Sequence, residues 1–298
     1  MNISKAVITS AGFGTRLLPI SKTIQKEMLP ILNRPVIDYV VEDCVKAGIE
    51  DIIFVVNEHN YQVLHYYREN LRLKRYLEQV GKAELYQYVE KLHQKANFYF
   101  VKQSDQDQYG TAVPITLAKN HLQNESAFLY LTGDDFVYSP DSDYSLCRTL
   151  LQLYEQNHAA GVITCDTKPD NELSRYGVAQ VKKKEGINYL EKLIEKPALG
   201  KAPSNLVNIS KYILPAEIID IIEHQELNPE SGELYITDSI QQLAQESPVV
   251  VHQISHQFLD GGNLPHWLQA NLTIAAQDPE LKSLITETVA GWNNSAKS

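Results

Sequence analysis

The chain is poor in cysteine, short of cations and without a long apolar run. Cys44, Cys147 and Cys165 are its three cysteines, and no Cys-x-x-Cys pair occurs. That spacing excludes a zinc knuckle and a disulfide framework. Lys and Arg number 27 against 37 Asp and Glu, a formal charge of −10. A protein gripping nucleic-acid phosphates needs the opposite balance, so no nucleic-acid partner is expected. The apolar run Ile52–Val56 is far short of the roughly 20 residues that cross a bilayer. The opening Met1-Asn2-Ile3-Ser4-Lys5 lacks a signal peptide's apolar stretch. These absences predict a cytoplasmic protein with no membrane partner. Repeats, low-complexity tracts and flexible linkers are also missing.

What is present suffices for a large core. At 298 residues and 43% hydrophobic content, roughly 75% of the unfolded chain's surface can be buried. Ala6-Val7-Ile8 predicts a buried strand that meets glycines at positions 12 and 14. After Pro35, Val36, Ile37, Val40, Val41, Cys44 and Val45 recur at helical spacing, and Gly48 stands where a C-terminal cap belongs. Ile52–Val56 follows as a strand, which completes the strand-turn-helix-strand unit of a parallel sheet.

Phe98–Val101, Phe128–Leu131 and Gly161–Cys165 predict further core strands, with helices over Ala112–Leu122 and Leu146–Tyr154. Residues 61–95 read as a polar helical excursion. Past Pro169 the pattern predicts strands at Tyr176–Val181, Asn188–Ile194, Leu206–Ile213 and Val249–Ile254. It predicts helices at Pro215–His224, Ile236–Gln245 and Asn263–Gln277. The final twenty residues read as a loosely held helix. The expected class is α/β, with a mixed, mostly parallel, Rossmann-like central sheet flanked by helices and carrying a β extension.

The loop after the first strand, Ala11-Gly12-Phe13-Gly14-Thr15-Arg16, is neither a P-loop nor Gly-x-Gly-x-x-Gly, since position 17 is leucine. Its glycines let backbone N–H groups approach an anion, and Arg16 adds a planar fork suited to polyphosphate. Lys26, in Lys26-Glu27-Met28-Leu29-Pro30, puts a second cation in the segment leaving strand one, the edge where open α/β sheets take ligands. A glycine turn and a solvated lysine are the plainer readings of either motif alone.

Gly12-Phe13-Gly14-Thr15-Arg16-Leu17-Leu18-Pro19 followed by Lys26-Glu27-Met28-Leu29-Pro30 resembles the signature of the sugar-1-phosphate nucleotidylyltransferases. Within that family the likeness is to the bacterial enzymes that join UTP to glucose 1-phosphate, and it extends to about residue 276. It implies a single nucleotidylyltransferase domain, residues 1–276, with a nucleotide-binding part at 1–165 and a sugar-phosphate part at 166–276. Residues 277–298 are then a tail. It further implies that Ala11, Gly12, Gly14, Thr15, Gln103 and Gly110 bind nucleotide, Gln103 reading the base. Arg16, Lys26 and Lys196 become the catalytic cations, Gly177 and Glu195 the sugar contacts, and Asp134 and Asp260 the holders of Mg²⁺. UTP and glucose 1-phosphate are the implied substrates, and a homodimer or homotetramer the implied assembly. No protein nucleophile is implied, only positioning and charge neutralisation. Removing Lys26, Asp134 or Lys196 is expected to lower turnover and leave folding intact.

Several positions depart from the family pattern. Gln25 stands where proline precedes the signature lysine, which loosens that loop. Thr111 follows Gly110, as in relatives that use other nucleotides. Tyr235 replaces a glutamine, and Leu264 a lysine. Two alternatives stay open on these grounds: a different nucleoside triphosphate or sugar, dTTP for example, and a non-catalytic paralogue that binds UDP-glucose.

Overall fold

The computed structural model describes residues 3–295. Two compact units are present, each gathered from three separated stretches of chain. The larger takes residues up to Gly12, Val41–Thr132 and Ser145–Ser255. The smaller takes Phe13–Val40, Gly133–Tyr144 and the chain from His256 onward.

Among the described residues, the larger unit holds a nine-stranded sheet. Its spatial order is Asn97–Gln103, Asp51–Asn57, Lys5–Ser10, Ala127–Thr132, Leu206–Pro215, Gly161–Thr167, Val249–Gln253, Ile187–Glu195 and Gly177–Lys184. The first four are parallel to one another, as are Gly161–Thr167 and Val249–Gln253. Leu206–Pro215 and Ile187–Glu195 run antiparallel to their neighbours. Seven of the nine strands therefore point one way, and the expected mixed, mostly parallel sheet is the one observed. Strands such as Asp51–Asn57 are buried without interruption from Ile52 to Val56, the pattern of a strand covered on both faces. The helices Val113–Leu117, Ile218–Glu223 and Ile236–Glu246 contribute Ile115, Ile218, Ile222, Ile240 and Leu243 to one buried cluster with the sheet residues Val7, Ile53, Phe128, Ile163 and Val251.

Two helices differ from expectation. The segment expected to be helical over Ala112–Leu122 is α-helical only at Val113–Leu117 and tightens to a 3-10 turn at Lys119–His121; Asn120 and His121 are weak helix formers. Pro215 ends the strand Leu206–Pro215, so the following helix starts at Ile218. All three cysteines are buried and free.

The smaller unit opens with three 3-10 turns, Thr15–Leu17, Ile20–Lys22 and Lys26–Met28. A two-residue ladder follows, Pro30–Ile31 against Arg34–Pro35. Its second pairing is antiparallel, Asp135–Tyr138 against Gln257–Asp260, with Asp260 opposite Asp135. The helix Leu264–Ala275 follows. Trp267 Nε1 donates to Pro30 O at 2.9 Å, and Asn271 Oδ1 accepts from Leu32 N at 2.9 Å. These bonds fasten that helix to the turn region. The last stretch is helical over Pro279–Ser295. Among the described residues, no helix is long and apolar enough to cross a membrane.

Candidate functional site

The smaller unit gathers Gly14, Thr15, Arg16, Lys26, Asp134 and Asp260 of the expected site. Gly14 has φ 62°, and a Cβ there would lie 3.1 Å from Ser21 Cβ and 3.4 Å from Lys26 Cβ. Only glycine is both relaxed in the left-handed region and small enough for this contact. The packing explains why the Gly-x-Gly loop and the lysine twelve positions after Gly14 form one signature. Gln25 sits at φ −55°, ψ 135°, a conformation proline also adopts, and is 6% exposed. The loop is held rather than loosened.

Lys26 Nζ donates to Asp134 Oδ2 at 2.7 Å and stands 3.7 Å from Glu27 Oε1; its side chain is 18% exposed. Burial alone would lower the Lys26 pKa. The carboxylates of Asp134, Glu27 and Asp135 outweigh that and hold it above its ordinary value. Lys26 is a permanent cation.

The carboxylates come together through the Asp135–Tyr138/Gln257–Asp260 ladder. It is extended by Gly261 N, which donates to Asp134 O at 2.7 Å. Gly262 then closes the corner. A Cβ on it would meet Asp260 Oδ1 at 2.8 Å, Asp134 Oδ2 at 2.9 Å and Arg16 Nη2 at 3.4 Å. Two carboxylate oxygens and one guanidinium thus converge on a position with no side chain. Hard oxygen donors beside such a cradle fit a divalent cation that keeps waters and phosphate oxygens as further ligands. Arg16 itself is exposed.

The larger unit carries Ala11, Gly12, Gln103, Gly110, Gly177, Glu195 and Lys196. Ala11 and Gly12 leave the C-terminal end of Lys5–Ser10, and Gln103 ends the parallel strand Asn97–Gln103, so both reach the same sheet edge. Gln103 is 8% exposed, and its Nε2 donates to Gln108 O at 3.4 Å.

Gly110 has φ 134°, and any Cβ there would overlap the Leu234 backbone. The glycine is needed by the chain itself. Leu234 N donates to Tyr109 O, and Ala112 N to Leu234 O, both at 3.0 Å. Thr111 Oγ1 accepts from Ile236 N at 3.0 Å, at the start of helix Ile236–Glu246, and Thr111 O accepts from Tyr130 at 2.6 Å. Thr111 therefore caps a helix, a structural use that says nothing of base choice.

Gly177 faces Glu195 across the Gly177–Lys184/Ile187–Glu195 ladder. A Cβ on Gly177 would come within 2.9 Å of Thr237 Cγ2 and 3.1 Å of Glu195 Oε2. The glycine leaves room for Thr237 Oγ1 to donate to Glu195 Oε2 at 3.1 Å. Burial raises the Glu195 pKa despite Lys196 and Thr237.

Lys196 adopts φ 43°. Its Nζ lies 4.8 Å from the Tyr235 ring centre, 3.4 Å from Tyr235 Oη and 3.7 Å from Glu195 Oε1. Burial lowers the Lys196 pKa, and Glu195 and Tyr235 more than restore it. Tyr235, 5% exposed, is thus the seat of the Lys196 cation. Leu264, at the start of its helix, is 62% exposed.

Because burial disfavours the ionised Glu195, its contribution to stability is greatest below about pH 4.5 and declines as pH rises through its elevated value. Glu195→Gln keeps an acceptor for Thr237 and removes the buried charge. We expect a Tm gain of about 2 °C at neutral pH that shrinks toward pH 4. A pH series of melting curves checks this; a variant less stable at pH 7.5 than at pH 4.5, relative to wild type, contradicts it.

In the smaller unit the cations Arg16 and Lys26 stand with the carboxylates of Asp134 and Asp260, and the larger unit holds the Gln103 amide and the Glu195–Lys196 pair. The family model described as nucleotidyl transferase matches residues 5–277, and the chain belongs to that family. Nucleotidyl transferases generally use a divalent metal.

The chain is 37% identical over 280 residues to the UTP–glucose-1-phosphate uridylyltransferase of Staphylococcus epidermidis, covering 94% of each chain. It is 36% identical over 296 residues to uridylyltransferase 1 of Staphylococcus saprophyticus, covering 98% of this chain and all of that one. Its fold matches the UTP-bound UDP-glucose pyrophosphorylase of Acinetobacter baumannii with a TM-score of 0.83 at 30% identity, over 97% and 99% of the two chains. A UDP-glucose pyrophosphorylase complexed with UDP-glucose matches with a TM-score of 0.80 at 28% identity, over 93% and 100%.

Sequence reasoning missed the parts of the site that act through long-range contacts. These are the Gly262 cradle, His266 beside Asp260, and the Leu234 segment against Gly110. Gly262 stands two residues after Asp260, but its approach to Asp134 has no signal in the sequence. His266 and Leu234 had none.

Proposed function

We propose that this chain is a UTP–glucose-1-phosphate uridylyltransferase that makes UDP-glucose and pyrophosphate. The observation that carries the reading is the convergence of Asp134, Asp260 and Arg16 on Gly262, with Lys26 paired to Asp134. A phosphate oxygen of glucose 1-phosphate attacks the α-phosphorus of UTP in line. The new P–O bond forms as the bond to the bridging oxygen breaks, and pyrophosphate leaves with that electron pair.

Arg16 and Lys26 neutralise the triphosphate, and Arg16 the leaving pyrophosphate. The backbone of Ala11, Gly12, Gly14 and Thr15 lines the nucleotide, and the Gln103 amide offers both a donor and an acceptor to the uracil edge. Lys196 aligns the attacking phosphate. Glu195 accepts from sugar hydroxyls beside the Gly177 backbone. Asp134 and Asp260 would hold Mg²⁺, which would supply the remaining positive charge at the phosphates.

The use of the Thr111 hydroxyl as a helix cap removes one reason to expect another base. A panel of nucleoside triphosphates with glucose 1-phosphate, read as nucleotide sugar by chromatography, tests the reading. UDP-glucose formation at least about tenfold faster than the products from CTP, ATP or GTP is expected, since a base-reading amide discriminates strongly against a mismatched edge. A preference for dTTP overturns the base assignment. Binding of UDP-glucose with no turnover on any nucleotide overturns the activity.

A further inference from the structure

Asp260 does not stand alone. Its Oδ1 accepts from Gly262 N at 2.6 Å. Its Oδ2 lies 2.9 Å from His266 Nδ1 and 3.3 Å from Asn263 Nδ2. Asn263 is itself committed, since its Oδ1 caps the helix Leu264–Ala275 by accepting from His266 N at 3.1 Å. His266 Nδ1 also lies 2.8 Å from Asn263 Nδ2. That nitrogen can give a proton to the carboxylate or accept one from the amide, but not both. The carboxylate is the stronger partner, so the proton belongs on Nδ1 and is donated to Asp260.

The carboxylate is thereby gripped at both ends. Oδ2 is turned toward the first turn of the helix, and Oδ1 is the oxygen facing the Gly262 cradle, opposite Asp134 Oδ2. A carboxylate free to rotate about its last bond would present either oxygen, or neither, to a cation. We propose that His266 is a positioning residue that locks Asp260 in the orientation required to bind the divalent cation. The inference rests on the reading of Asp260 as a cation ligand. Hydrogen bonds from outer residues to metal-binding carboxylates set ligand orientation, and their loss typically weakens metal binding about 10–100-fold. His266 lies on the exposed side of its helix turn, with a side chain 34% accessible, so its replacement leaves the core untouched.

The test uses Mn²⁺ titrated into the whole protein and followed by electron paramagnetic resonance, with and without UTP. His266→Leu and His266→Ala, both lacking the donor, are expected to raise the Mn²⁺ dissociation constant about tenfold or more. His266→Asn, whose amide nitrogen takes the place of Nδ1, is expected to restore much of the affinity. In turnover, the two donor-free variants should need more Mg²⁺ and approach the wild-type kcat once it is saturating. Asp260→Asn serves as the reference. If Asp260→Asn weakens Mn²⁺ binding and His266→Leu and His266→Ala do not, the positioning role is overturned and the ligand assignment survives. If Asp260→Asn leaves Mn²⁺ binding unchanged, Asp260 is no ligand and both fall.

Discussion

Lys26→Ala will lose on the order of 10²–10³ in kcat and will also melt well below the wild type. The first effect follows from the role proposed for Lys26, since removing one preorganised electrostatic group at a phosphoryl centre removes stabilisation that only the transition state fully uses. The second follows from burial. Asp134 is 6% exposed and Glu27 1%, with Asp135 next in the chain, and Lys26 is the cation that pairs with Asp134 at 2.7 Å. Removing one partner of a buried ion pair costs about 3–5 kcal/mol. The Lys26 side chain keeps 18% exposure, so water offsets part of this and the low end applies. At about 3 kcal/mol the fall in Tm is roughly 6–12 °C for a chain of this size.

The proof is a double-mutant comparison. Lys26→Met with Asp134→Asn removes both charges and should recover much of the stability lost by Lys26→Met alone, while turnover stays lost in both variants. Lys26→Met with wild-type Tm and kcat contradicts the account. Additive losses in Tm contradict the buried pair.

Gly262→Ala separates function from stability. Its methyl group must occupy the space in which Asp260 Oδ1 and Asp134 Oδ2 approach to 2.8 and 2.9 Å of the Cβ position. Neither oxygen can remain there, because real Cβ atoms do not sit that close. What yields is the tips of two aspartates, not the backbone, so the fold survives. Gly262 is absent from the positive-φ glycines, so alanine carries no backbone penalty and constrains the unfolded chain, a gain of about 0.4–1 kcal/mol that offsets the crowding. The Lys26 ammonium can follow Asp134 Oδ2 and keep their pair, so we expect Tm within about 3 °C of wild type. Displacing catalytic groups by an ångström costs on the order of 10²-fold, and kcat should fall by that amount. Normal turnover in Gly262→Ala would mean that the two carboxylates do not act together at this position.

The contrast between these two variants shows where the sequence was readable. The Gly14–Lys26 signature is local. Twelve residues separate its members, and a glycine with φ 62° packed on the lysine's Cβ is a constraint that composition and spacing can carry. The strands were legible because parallel strands buried on both faces are continuous apolar runs, as Ile52–Val56 is. The Gly262 cradle was not legible, because it depends on a four-residue ladder whose strands, Asp135–Tyr138 and Gln257–Asp260, lie more than a hundred residues apart. Neither is long enough to show a pattern of its own.

Thr111 misled for a related reason. Its hydroxyl answers to Ile236, 125 positions away, so the residue type reports a helix cap and not a nucleotide preference. Tyr235 in place of glutamine suggested a weakened site. The structure puts it beneath Lys196, with the ammonium 4.8 Å from the ring centre, where an aromatic face favours a cation. The departure from pattern carries its own support for the Lys196 cation.

The most direct test of the central claim is pyrophosphate release by the wild-type protein supplied with UTP and glucose 1-phosphate, with and without Mg²⁺. The account predicts release that requires both substrates and the cation, and that falls on the order of 10²–10³ in Asp134→Asn. Release that persists without Mg²⁺, or that is unchanged in Asp134→Asn, would contradict it.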